Sequence, residues 1–188
     1  MKKVLYAILA LATLTLASCK KDPIGGTAIE TMSGQWYVQA QGVDAEGNVL
    51  FEDEDLFGIG NFYILTYNTS ANDAETMFVQ DYPGPAKQYL WNFQVKVKCD
   101  LGANTFSVAD GEDLIYGIPV KITNGKILPG AAKTPSGMPA DSIVFEVLFG
   151  DDPYAAPNEE ALGEDFVGAF YDHLRVTGYR YTGLAADD

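Results

Sequence analysis

Polar and apolar positions alternate along much of this chain in short runs. The clearest is LWNFQVKVKC, residues 90–99, where Trp91, Phe93, Val95, Val97 and Cys99 share one phase and Asn92, Gln94, Lys96 and Lys98 the other. A period of two sends successive side chains to opposite faces of a strand, so the segment predicts one buried and one wet face, as in an antiparallel sheet. Cys99 falls in the buried phase and reads as a small core residue, not a reactive thiol. GQWYVQAQG (34–42) sets Trp36, Val38 and Ala40 against Tyr37, Gln39 and Gln41; SIVFEVLF (142–149) holds Ile143, Phe145, Val147 and Phe149 in one phase. NFYILTY (61–67), ETMFVQ (75–80), NTFSV (104–108) and LRVTGYRYTG (174–183) are strand-like too.

Turn residues separate these runs: DAEGN (44–48), NTSANDA (68–74) and CDLGAN (99–104). Asn124-Gly125 stands between two apolar runs, the strongest short signal for a hairpin. The Pro/Gly-rich stretch 129–140 reads as a loop. One segment changes period. In residues 158–174, Leu162, Phe166 and Phe170 recur every fourth position behind Asn158 and two glutamates, which predicts a short helix before the last strand. Many short strands with close turns form a meander, and a meander of this length curls into a barrel or sandwich. The expected fold is all-β: an antiparallel up-and-down barrel with that one helix.

Composition narrows the function. At 188 residues and 47% hydrophobic the chain suits one globular domain. A net charge of −14 excludes a nucleic-acid partner, since phosphate binding needs basic contacts that are scarce here.

The N-terminus carries a targeting pattern instead of a strand. Lys2 and Lys3 precede an apolar run, residues 4–16, too short to span a bilayer. Leu16-Ala17-Ser18-Cys19 then resembles the lipobox of bacterial lipoproteins. The resemblance implies cleavage before Cys19 and acylation of that cysteine, which would keep it from pairing with Cys99. On this reading residues 1–18 are a signal peptide, 19–31 a lipidated flexible tether, and 32–188 the barrel domain. Lys20 stands where an aspartate would resemble an inner-membrane retention signal, so the expected address is the outer membrane of a Gram-negative envelope, facing the periplasm or the outside.

Gly34-Gln35-Trp36 on the first strand and Arg180 on the last resemble the pair that closes one barrel end in the calycin superfamily, which includes the lipocalins; Arg175 is the other arginine of that last strand. A guanidinium over an indole is a favourable cation–π contact. With the lipobox, SGQWYV, WNFQVKVKCD and VTGYRYTG, the chain resembles lipocalin-like lipoproteins of Bacteroidetes described as lipid-binding putative hydrolases. That resemblance implies a barrel and an apolar or amphipathic, lipid-like ligand.

If the barrel is hollow, Trp36, Val38, Phe62, Ile64, Trp91, Phe93, Phe145 and Val147 are the candidate ligand lining, with Tyr63 and Tyr67 at the mouth. If it is filled, the same residues are core. A hydrolase is the weaker reading. His173 is the one histidine, Asp172 is its sequence neighbour, no Gly-x-Ser-x-Gly elbow exists, and Ser136 sits in a loop. At a helix end His173 reads as a C-terminal cap. The acidic run 52–55 lacks the glycine and ligand spacing of a calcium loop, so no metal or cofactor is expected. A third reading is a non-enzymatic subunit of an envelope complex that meets a protein partner through Tyr82, Tyr89 and Tyr154.

Overall fold

The computed structural model describes residues 26–51, 60–83, 89–157 and 171–187. They form nine strands: β1 Gly34–Val43, β2 Val49–Phe51, β3 Phe62–Asn68, β4 Thr76–Tyr82, β5 Gln94–Asp100, β6 Thr105–Glu112, β7 Pro119–Lys133, β8 Pro139–Phe149 and β9 His173–Arg180. Eight of them, all but β2, close an antiparallel barrel in chain order, and β9 pairs back onto β1 from Trp36↔Arg180 to Val43↔His173. β2 continues the sheet beside the far end of β1, where Gly42 pairs with Phe51.

Alternation explains the interior. Trp36, Phe62, Ile64, Phe93 and Phe145 are 0% exposed and Val38 and Val147 are 1% exposed. No water-sized void lies against such side chains. Eight strands enclose a space that side chains just fill, and here they fill it.

Four expectations about strands, helix and turns change. The helix expected over 158–174 falls mostly outside the described residues; its last part is extended, with Tyr171 bridged to Ala155 and β9 starting at His173. The strand expected from residue 90 begins at Gln94, because Asn92 adopts φ 54° and breaks the alternation. Trp91 therefore leaves the inward row and stacks outside the strand on Phe149, ring centroids 4.9 Å apart. Asn124-Gly125 is no hairpin. β7 runs straight through it as a bulge, with register shifting between Thr123 and Lys126 and Asn124 at φ 54°. A Cβ on Gly125 would lie 2.4 Å from the Phe106 carbonyl oxygen, so only glycine fits. Finally, residues 129–140 are mostly strand, the end of a long β7–β8 hairpin turning at 134–138.

Residues 26–31, expected as the end of the tether, lead with Met32 into the fold. They make a turn that buries Ile29 and Met32 completely. Cys99 is half-buried, not fully buried, and burial pushes its thiol up.

Candidate binding site

The barrel has two unlike ends. At one, the turn carrying Ile29 and Met32 plugs the opening. Trp36 Nε1 donates to Thr66 Oγ1 at 2.9 Å, and Thr66 Oγ1 donates to the Met32 carbonyl at 2.6 Å, so the indole holds the plug through one hydroxyl. Arg180 lies over the same indole, its Cζ 4.4 Å from the ring centroid. It donates to the Ser33 carbonyl at 2.6 Å and to Asp141 at 3.1 Å. A Cβ on Gly34 would stand 2.3 Å from Arg180 Nη1, which is why the residue two before Trp36 is glycine. Arg175 is elsewhere, bonded to the Gly47 carbonyl.

The other end gathers β1's C-terminus, β2, the β6–β7 turn and the segments around Trp91 and Tyr154. Here aspartates organise backbone N–H groups. Buried Asp81 accepts from Trp91, Asn92 and Phe93 at 2.7–3.0 Å, and buried Asp113 accepts from Gln94, Ile115 and Tyr116. Asp152 accepts from the Tyr154 N–H and from the Tyr171 hydroxyl in a short bond. Burial pushes Asp81 and Asp152 above the usual carboxylate range, against the pull of these bonds; it pushes Tyr171 up as well. Asp81's clamp also explains why Trp91 stands outside the strand.

This end exposes several large apolar residues. Val49 and Leu50 of β2, Tyr82, Tyr89, and Leu114 to Tyr116 of the β6–β7 turn are exposed here; the other exposed large apolar residues described, Leu128, Met138 and Leu184, belong to the opposite half. Trp91 and Phe149 lie within the rim, Trp91 Nε1 reaching Asp151 at 3.2 Å. Sequence reasoning missed most of the rim. β2 is too short to show a period, and Leu114, Ile115 and Tyr116 form a turn without Pro or Asn-Gly.

Of the eight lining candidates, the barrel interior collects all but Trp91, as packed core. Tyr63 and Tyr67 are not at a mouth. They project from the outer face of β3, and the Tyr67 hydroxyl bonds Gln80 and Gln94. Of the tyrosines read as partner contacts, Tyr82 and Tyr89 are exposed, while Tyr154 packs partly against the core.

His173 opens β9 and is no helix cap. Its Nε2 is 3.3 Å from Glu146 Oε1, whose other oxygen takes Thr123 and Asn124. Among the described residues no hydroxyl bonds that nitrogen. Ser136 is on the hairpin tip, bonded to Thr134 and Asp187 at the other end of β8. Cys19 and residues 52–55 lie outside the described residues.

A family model described as "Lipid-binding putative hydrolase" matches residues 21–185, nearly the whole chain. The chain belongs to this lipid-binding family. A closed β-barrel fits lipid binding, and the described inward side chains of this one pack against one another. A search of curated proteins found no match.

Proposed function

We propose that this protein is a lipid-anchored barrel of the bacterial outer membrane that takes an apolar or amphipathic molecule at its apolar rim. The carrying observation is that Val49, Leu50, Tyr82, Tyr89 and Leu114 to Tyr116 are all exposed at the end opposite the plug, the end where Trp91 stacks on Phe149. Large apolar patches mark binding surfaces, and an acyl chain laid on this one gains about 25 cal/mol per Å² of apolar surface covered. The filled interior directs the ligand to the rim, where Trp91 is the residue that lifts from Phe149 to admit it. The Trp91 indole N–H, bonded to Asp151, would have to exchange that partner to orient the ligand. The Tyr116 hydroxyl, which accepts from Asn92, keeps its own proton to donate.

The anchor sets the direction. Six residues, 20–25, separate Cys19 from the start of the plug, a reach of at most about 25 Å. Ala28 is bonded to Asn72 on the β3–β4 turn, so the tether enters at the plugged end. That end faces the anchoring membrane and the rim faces away, toward whatever delivers or collects the ligand. The two exposed tyrosines of the rim, Tyr82 and Tyr89, also support a second reading, an accessory subunit that meets an envelope protein there.

Two measurements test this. Metabolic labelling with an alkyne fatty acid should mark the wild type and not Cys19→Ser; a labelled serine variant would end the anchor reading. Titration with oleate should change tryptophan fluorescence in the wild type and leave Trp91→Phe silent, because Trp36 is sealed in the core. No response in either protein would put the accessory-subunit reading ahead.

A further inference from the structure

β6 slips in register twice against β7, between Phe106 and Val108 and again between Val108 and Gly111. At the second slip Val108 pairs with Ile122 and Gly111 with Val120, so Ala109 and Asp110 stand opposite the single residue Lys121. Such a bulge bends the strand and re-aims its side chains. Val120 and Ile122 are buried, which turns Lys121 outward between them. Asp110, Glu112 and Lys121 are all exposed, and among the described residues none of the three forms an ion pair.

A groove of about 380 Å³ lies on this bulge. Asp110, Glu112 and Lys121 line it together with Pro119, Val120 and Leu148, the last paired with Lys121 across β7 and β8. Gly111 lies in its floor, where a Cβ would stand 2.7 Å from the Val120 carbonyl oxygen. The groove is continuous with the rim, because its residues Glu112 and Gly117 bracket the turn that carries Leu114 to Tyr116. Lys121 also borders a recess of about 70 Å³ with Asp172 and Glu146, and there Glu146 is held by Thr123, Asn124 and His173. Two carboxylates and one ammonium thus share a groove with apolar walls.

Mixed charge selects the ligand class. A simple anion drawn to Lys121 is repelled by Asp110 across the bulge, and a simple cation drawn to the carboxylates is repelled by Lys121. A bare alkyl chain would strip water from all three charges and return no hydrogen bond. A zwitterion answers both signs at once: a phosphate accepts from the Lys121 ammonium while an amine donates to Asp110 and Glu112. A primary ammonium brings three donors to the two carboxylates, and a quaternary one brings none. A free amino acid shares this chemistry, but continuity with the rim favours a head group borne on a chain. Building on the rim reading, we propose that this groove takes the phosphoethanolamine head group of a zwitterionic phospholipid whose chain lies on Leu114 to Tyr116.

The test uses the mature protein with three monoacyl phospholipids that share one oleoyl chain and carry ethanolamine, choline or glycerol heads, each below its micelle concentration and read by calorimetry. The ethanolamine lipid should bind about tenfold tighter than the other two, through charged hydrogen bonds that they cannot make. Asp110→Asn combined with Glu112→Gln should bring it level with the choline lipid. Lys121→Gln should weaken both, since both carry the phosphate. Monoolein, which has the chain and no charge, should bind the wild type and both variants alike. Glycerophosphoethanolamine, which has the head and no chain, should shift the amide signals of Asp110 to Glu112 whether or not monoolein binds, and this separates failure here from failure of the rim. Equal affinity for the ethanolamine and choline lipids in the wild type would overturn the proposal. So would a preference that survives loss of both carboxylates, tighter binding of the glycerol lipid, a monoolein affinity that falls in the variants, or glycerophosphoethanolamine without effect at millimolar concentration.

Discussion

The two ends of the barrel solve one problem with opposite chemistry. Each must satisfy backbone groups that the sheet leaves over. The plugged end offers carbonyls, and Arg180 meets that of Ser33 with a guanidinium that also covers Trp36. The rim end offers N–H groups, and Asp81, Asp113 and Asp152 meet them with carboxylates. A guanidinium stays charged at every working pH, whereas a carboxylate titrates. The Arg180 contact to the Ser33 carbonyl is therefore indifferent to acidity, and the buried Asp81 clamp is not.

The largest expected effect is at the plugged end. Trp36→Ala should cost about 3–5 kcal/mol, read as the shift in a urea unfolding midpoint. An unshifted midpoint would mean the indole is not the keystone of this end. Arg180→Ala should cost about 2–3 kcal/mol, from a charged hydrogen bond to a carbonyl and a cation–π contact. Arg180→Lys should recover only part of it, because an ammonium cannot span the Ser33 carbonyl, Asp141 and the ring face together. Full recovery would show that charge alone matters there.

At the rim end, Asp81→Asn should cost about 1–2 kcal/mol near neutrality, because an amide replaces an acceptor oxygen and faces a buried N–H with a donor. Its pH signature is sharper. Burial holds Asp81 above the ordinary carboxylate range, so the native state keeps its proton to higher pH than the unfolded chain does. The proton-linked part of Asp81's contribution is therefore full below the ordinary carboxylate pKa and is lost as pH rises through the raised value. Stability of Asp81→Asn should fall less steeply than wild type across that window, while Arg180→Ala should keep the wild-type slope. Equal slopes in wild type and Asp81→Asn would break the contrast between the ends. The smallest effect belongs to Leu114→Ser, within about 0.5 kcal/mol on stability, with weakened oleate binding as its signature. Undiminished oleate binding would remove the β6–β7 turn from the rim site.

The buried faces were legible where one residue in two is apolar. Trp36, Val38 and Ala40, or Ile143, Phe145, Val147 and Phe149, announce both strand and facing, because a one-residue slip would expose them all. Asn124-Gly125 misled for a physical reason. A left-handed residue serves a bulge as well as a turn, and only the pairing of Phe106 with Gly125 distinguishes them. Trp91 sat in perfect phase with Phe93, yet Asp81, ten residues earlier, takes its N–H and turns the chain. No local pattern contains that bond. The outward tyrosines look like core in sequence, since a ring with a hydroxyl satisfies either face. The rim is assembled from β2, the ends of β4 and β5 and one turn, so its apolar residues are neighbours only after the barrel closes.

That closure has a consequence for how the chain comes to be folded. The seam between β1 and β9 joins residue 36 to residue 180, so the first strand made waits for nearly the last before it finds its partner. Contacts so distant in sequence are slow to form. Until His173–Arg180 arrives, β1 presents an unpaired edge, the kind of template on which foreign strands pair. A chain stopped before His173 would be no barrel with a piece missing but an open sheet with two live edges, fit for aggregation or proteolysis. Pairing of His173–Arg180 with β1 is, for this protein, the step that removes those edges.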